Sequence, residues 1–122
     1  SFERAGWKVT PCSDVSGIPH SAKVVVIVNP NNPDGRIVAK DTLIALAGTL
    51  QVRGGFLIVD EAFADPHPET SIAAQCGRDG LIVLKSFGKF FGLAGLRLGF
   101  ALTSPAFAAK LTERMGPWAV SG

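Results

Sequence analysis

The sequence predicts an α/β fold, a mostly parallel sheet with flanking helices whose last strand runs antiparallel to the others. Three observations predict it. Residues 24–28, 56–59 and 81–84 are short, continuous apolar runs, the pattern of strands buried on both faces. Each run ends in a polar loop. Between the first two runs, Leu43, Leu46, Ala47 and Leu50 recur with the period of an amphipathic helix.

In chain order, residues 7–10 read as a short strand. Residues 11–22 are rich in Ser, Pro, Gly and Asp and read as a loop. The β-branched run 24–28 is stopped by Asn29-Pro-Asn-Asn-Pro-Asp-Gly35, where two prolines and a glycine forbid regular structure. The helix covers residues 40–53 and is ended by Gly54-Gly55. Residues 64–80 are irregular, with one helical turn near 72–75. After the run 81–84 comes a glycine loop and then a strand at about 98–103. The link between those two is too short for a helical crossover, so the last strand is expected to run antiparallel. Ser104-Pro105 opens a helix with cap and first-turn chemistry that runs to about Met115, before Gly116-Pro117. So few helices cannot cover both faces, and exposed apolar surface is expected where missing segments or a partner would pack.

The 122 residues suit one modest domain, and 47% hydrophobic against 18% charged residues supplies a core. A net charge of +2 with scattered basic residues points away from nucleic acid. Cys12 and Cys76 form no C-x-x-C pair and read as incidental thiols in a reducing compartment, the cytoplasm. No apolar run approaches the ~18 residues that span a membrane, and Ser1-Phe-Glu-Arg4 is unlike a signal peptide. The chain starts without Met and reaches a strand-like run almost at once, so it reads as the middle of something longer.

The chemistry gathers at the carboxyl ends of the three runs, the edge where open α/β sheets bind ligands. Asn32 follows the first run and Asp60 the second, while Ser86 and Lys89 fall on the loop after the third. Arg97 offers a fixed fork suited to phosphate. Gly88, Gly92 and Gly95 let the loop turn tightly around a bound group. Phe87, Phe90 and Phe91 are expected to surround Lys89 with apolar surface, which favours a neutral, nucleophilic amine. The set holds an amine, a carboxylate, an amide and a guanidinium. It holds no Ser–His pair and no metal-ligand cluster. His20 and His67 are isolated and read as surface histidines, with His67 a weak candidate by its place at the edge. Plain structural readings stand beside these: a surface lysine, a turn asparagine, a helix-capping Asp60, an Arg97 in a surface ion pair. An apolar strand followed by Asp60-Glu61 also fits the magnesium-holding strand of a P-loop NTPase, though the sequence has no G-x-x-x-x-G-K-[ST] and no G-x-G-x-x-G.

Asn29-Pro-Asn-Asn-Pro-Asp-Gly35, Asp60-Glu-Ala-Phe63 and Ser86-Phe-Gly-Lys89…Gly-Leu-Arg97-Leu-Gly99, in that order and spacing, resemble the fold-type I pyridoxal-phosphate enzymes. More narrowly, they look like the class I/II aminotransferase family. The resemblance implies pyridoxal 5'-phosphate as cofactor. It also implies that residues 1–122 are a fragment of one large cofactor-binding domain, with an N-terminal part and a C-terminal small domain missing. By the same resemblance Lys89 would form the Schiff base with the cofactor aldehyde and move protons at the substrate Cα. Asp60 would pair with the pyridine nitrogen. Asn32 would bond the phenolic oxygen, and Ser86 and Arg97 would hold the phosphate.

Departures from the family pattern narrow the expectation. Phe63 stands where the family commonly has Tyr, so Asn32 would carry the phenolic contact alone. Gly88 replaces the second serine of the usual Ser-x-Ser-Lys, and Pro-Asp-Gly replaces Pro-Thr-Gly. Residues 60–65 and 86–100 are similar to the threonine-phosphate decarboxylases of cobalamin biosynthesis, a branch close to the histidinol-phosphate aminotransferases. The implied partner is a small phosphorylated amino acid, which loses CO₂ in the first branch and transfers its amino group in the second. The implied assembly is a homodimer. The substrate-carboxylate arginine and the ring-stacking aromatic would come from the missing segments, so the fragment alone is expected to be weak or inactive. A non-catalytic relative that kept the fold as an interaction surface is a third reading.

Overall fold

Residues 2–116 are described in the computed structural model of the chain. Four strands form one sheet in the order of the sequence: β1 (Val24–Val28), β2 (Phe56–Asp60), β3 (Leu81–Ser86) and β4 (Gly99–Leu102). The pairs β1–β2 and β2–β3 are parallel and β3–β4 is antiparallel, as the loop lengths require. The helix α1 (Lys40–Val52) crosses between β1 and β2, and α2 (Pro105–Met115) follows β4. Ser104 caps α2 by accepting the Phe107 N–H at 3.4 Å.

Side chains alternate across a strand, and one face of the sheet carries the core. Leu57, Val59, Leu81 and Val83 pack with Leu43, Ala47 and Leu50 of α1 and with Ile72 from the β2–β3 connection. The opposite face has less cover. Phe107 of α2 meets Phe56 with ring centroids 5.1 Å apart, yet Val26 on that face stays 49% exposed. The expected uncovered apolar surface is therefore present.

Three details depart from the sequence reading. Residues 7–10 form no strand; they pair with nothing in the sheet, and Trp7 and Val9 are half-exposed. Their composition suits a strand, but a strand needs a partner, and the outer edge of β1 has none among the described residues. Ser86 is the last residue of β3 rather than part of the loop. The β2–β3 connection holds two 3-10 turns, Pro68–Thr70 and Ala73–Gln75, where one was expected. Pro117 lies outside the described residues. Among the described residues, no helix is long and apolar enough to cross a membrane.

The step from α1 into β2 is tightly specified. Gly54 takes φ +68, and a Cβ on Gly55 would sit 2.4 Å from the Lys23 carbonyl oxygen. That carbonyl accepts the Phe56 N–H at 2.8 Å and starts the β1–β2 ladder. Chemical denaturation of the full-length protein should therefore show Gly55→Ala destabilised by about 1–3 kcal/mol. Gly48→Ala, inside α1 with open space around it, should instead gain about 0.5–1 kcal/mol.

Candidate active site

Asp60 and Ser86 end neighbouring parallel strands. Asp60 pairs with Leu84, two residues before Ser86, so the two side chains leave the same face of the sheet. Asp60 is half-buried, and its Oδ1 accepts the Ala62 N–H at 3.0 Å. Ser86 Oγ accepts the Gly88 N–H at 3.2 Å and turns the chain out of β3. The glycine loop then closes through a 3-10 turn, Ala94–Leu96, capped by Arg97. Gly99 pairs with Ser86 as β4 begins, which returns Arg97 to the mouth of the sheet.

Asp60, Ser86, Gly88, Ala94, Arg97 and Gly99 line a pocket of about 320 Å³. Three of the five residues singled out from the sequence thus share one concavity. A larger groove of about 1060 Å³ runs along β1 and the N-terminal segment, but it holds none of the five and its wall is mainly apolar. The small pocket holds the convergent polar groups, and those groups mark it as the candidate site.

Arg97 is the one described residue other than glycine at positive φ, +50. Such a conformation is costly for a side-chain-bearing residue and is found where surrounding structure imposes it. Among the described residues its guanidinium makes no ion pair.

Lys89 stands at the same edge but is exposed. Its amine lies 5.2 Å from the centroid of the Phe63 ring, three residues beyond Asp60. The expected apolar cage of Phe87, Phe90 and Phe91 is not there. Phe87 stacks on Phe91 at 4.9 Å and tilts against Phe100 at 5.4 Å, while Phe90 meets Phe91 edge-on at 5.3 Å. Aromatic rings gain more from one another than from an ammonium that keeps its water. Neighbours in sequence therefore became neighbours of each other, and Phe63, from another loop, became the ring beside the amine.

Asn32 is exposed and does not line the small pocket. The turn around it is held by other groups. Asn31 Nδ2 donates to Asp34 Oδ1 at 2.7 Å, and the Arg36 N–H donates to the same oxygen at 3.0 Å. These bonds, the Asn31 bond foremost, hold the Asp34 carboxyl below its usual range. Asn29 was missed by the sequence reading. It is fully buried; its Oδ1 accepts the Val38 N–H at 2.8 Å and its Nδ2 reaches the Val38 carbonyl at 3.4 Å, so it clamps the base of the loop that carries Asn32. Its place directly after an apolar strand and before a proline was the available signal. His67 is exposed and its ring lies 3.4 Å from Glu69, in keeping with a surface role.

A family model described as aminotransferase class I and II matches residues 12–122. The chain belongs to this family. Among curated members, the threonine-phosphate decarboxylase of Pseudomonas aeruginosa is 49% identical over all of this chain and 38% of its own length. Among solved members, L-threonine-O-3-phosphate decarboxylase from Porphyromonas gingivalis matches with TM-score 0.77 and 26% identity, over 90% of this chain and 36% of that one. Histidinol-phosphate aminotransferase from Sinorhizobium meliloti, solved in complex with pyridoxal-5'-phosphate, matches with TM-score 0.67 and 28% identity, over 75% of this chain and 26% of that one. The chain thus spans under two fifths of the length of the curated family members it matches.

The left-handed backbone at Arg97 gives a measurable asymmetry within this pocket. In the full-length protein, Arg97→Gly should be more stable to heat or denaturant than Arg97→Ala by about 1 kcal/mol, because only glycine adopts that conformation freely. Equal stability of the two variants would show that the backbone there is unstrained.

Proposed function

We propose that this chain is the central part of the cofactor-binding domain of a pyridoxal-phosphate enzyme acting on a small phosphorylated amino acid. The first substrate reading is L-threonine O-3-phosphate, with loss of CO₂. The observation that carries the proposal is the pocket at the ends of β2 and β3, with a carboxylate ending one strand, a hydroxyl ending the next and a guanidinium from the loop that follows it. That donor set fits a molecule with an anionic phosphate at one end and a protonated ring nitrogen at the other. The 49% identity to a threonine-phosphate decarboxylase supports the choice of substrate.

In this reading Ser86 and Arg97 bind the cofactor phosphate. Asp60 faces the pyridine nitrogen and keeps its proton in place. Asn32, outside the small pocket, would bond the phenolic oxygen from the β1 loop, and Phe63 supplies no hydroxyl to help it. Lys89 anchors the cofactor and then returns a proton to the substrate Cα. Pyridoxal 5'-phosphate, when bound, supplies an electron-withdrawing ring that takes up the electron pair of the bond broken at that carbon. The remaining substrate anchors belong to parts of the protein outside this chain. The exposed Phe90, Phe91, Leu93 and Leu96 beside the site loop support a homodimer. Two free cysteines, Cys12 and Cys76, suit a reducing cytoplasm.

Amino transfer from a substrate such as histidinol phosphate is the second reading, favoured by the structural likeness to histidinol-phosphate aminotransferases. Full-length protein loaded with pyridoxal phosphate and given threonine phosphate should release CO₂ without any keto acid. Lys89→Ala and Asp60→Asn should each lower that rate by about 10²-fold or more. Turnover of histidinol phosphate only when a keto acid is added selects the second reading, and inactivity toward both substrates removes the proposal.

A further inference from the structure

On the core face of the sheet lies a charged cluster that the proposed reaction does not use; its lysine, Lys85, also borders the pocket where β3 ends. Glu61 follows Asp60 and Lys85 precedes Ser86. Each residue proposed to hold the cofactor from β2 and β3 therefore has a neighbour on the reverse face of the same strand end. Extending the parallel register one step past Asp60–Leu84 brings Glu61 opposite Lys85. Lys85 Nζ lies 3.5 Å from Glu61 Oε2 and 2.7 Å from Asp65 Oδ1.

Glu61 is completely buried and tied down on every side. Its Oε1 accepts the Ile72 N–H at 2.8 Å, its Oε2 accepts the Ser71 hydroxyl, and its own N–H donates to the Leu84 carbonyl at 2.9 Å. Lys85 and Asp65 are only 22% and 16% exposed, and Asp65 Oδ2 is buried with no partner among the described residues. One ammonium thus serves two largely buried carboxylates. Charges taken this far out of water keep their place only when paired, and losing the single cation leaves two acids facing each other. The ion pair also sits where the ladder ends, the point at which parallel strand ends are free to separate.

We propose that Lys85 is a positioning residue: with Glu61 and Asp65 it clamps the carboxyl ends of β2 and β3 and so fixes the spacing between Asp60 and Ser86 across the pocket. The inference rests on the proposed function, since it assigns a consequence to the distance between two cofactor-holding groups. It has a specific signature. A ligand that touches both strand ends needs the clamp. A ligand that touches only the β3–β4 side does not, because Ser86 and Arg97 are joined through the antiparallel pairing of Ser86 with Gly99.

Calorimetric titration of the full-length apo-protein with pyridoxal phosphate and, separately, with inorganic phosphate tests this. In Lys85→Met, affinity for pyridoxal phosphate should fall about tenfold or more while affinity for inorganic phosphate stays within about twofold, and Lys85→Arg should restore the first. Should Lys85→Met fail to fold, the variant Glu61→Gln/Lys85→Met/Asp65→Asn, which removes all the charges together, should show the same split. Unchanged affinity for both ligands, or an equal fall for both, overturns the positioning role. Wild-type protein that binds inorganic phosphate but not pyridoxal phosphate contradicts the proposed function instead, and the positioning role with it.

Discussion

The parallel ladder between β2 and β3 sets the relative height of Asp60 and Ser86 at the pocket. Its register places Asp60 beside Leu84 and leaves Ser86 two residues further along the same face. A slip of one residue would turn Asp60 into the core and push Glu61 out toward the pocket. The core prevents that slip. Leu57 and Val59, fully buried against α1, alternate with Asp60's side of the strand. Burying those two side chains is worth a few kcal/mol in all, at roughly 1.5–3 kcal/mol each. Packing on one face therefore secures chemistry on the other.

The antiparallel return of β4 supplies what two parallel ends cannot. A parallel pair presents side chains from its strand ends and the loops that leave them. By folding back at once, the segment after Lys89 brings Arg97 to the same mouth without a crossover helix. The cost is local: Arg97 holds a left-handed backbone. Such strain persists where the flanking structure fixes both ends of a turn, and here β3 and β4 fix them.

The strands and α1 were legible because continuous apolar runs and a helical period are strong local signals, and the direction of β4 followed from the length of one loop. The strand expected at residues 7–10 failed for a tertiary reason: its residues are suitable, but nothing among the described residues pairs with them. The site was legible in part. Asp60 and Ser86 converge because strand ends in a parallel sheet must share an edge, and Arg97 joins them through the antiparallel return into β4. The cage around Lys89 was misjudged because adjacency in sequence does not fix where rings point, and Phe63 came from a different loop. Lys85 was passed over because a lysine at the end of an apolar strand looks like a solvent-facing terminus. Its partners Glu61 and Asp65 appear only once register is known.

The central claim is that the amine at position 89, among all those of the chain, serves the pocket at the ends of β2 and β3. Borohydride reduction of the full-length protein with bound pyridoxal phosphate, followed by peptide mapping, measures this directly. The account predicts one cofactor-sized mass increment, on Lys89, while Lys85 beside the same pocket and the distant Lys8 and Lys23 stay unmodified. Label on Lys85, or label spread over several lysines with Lys89 spared, would contradict it.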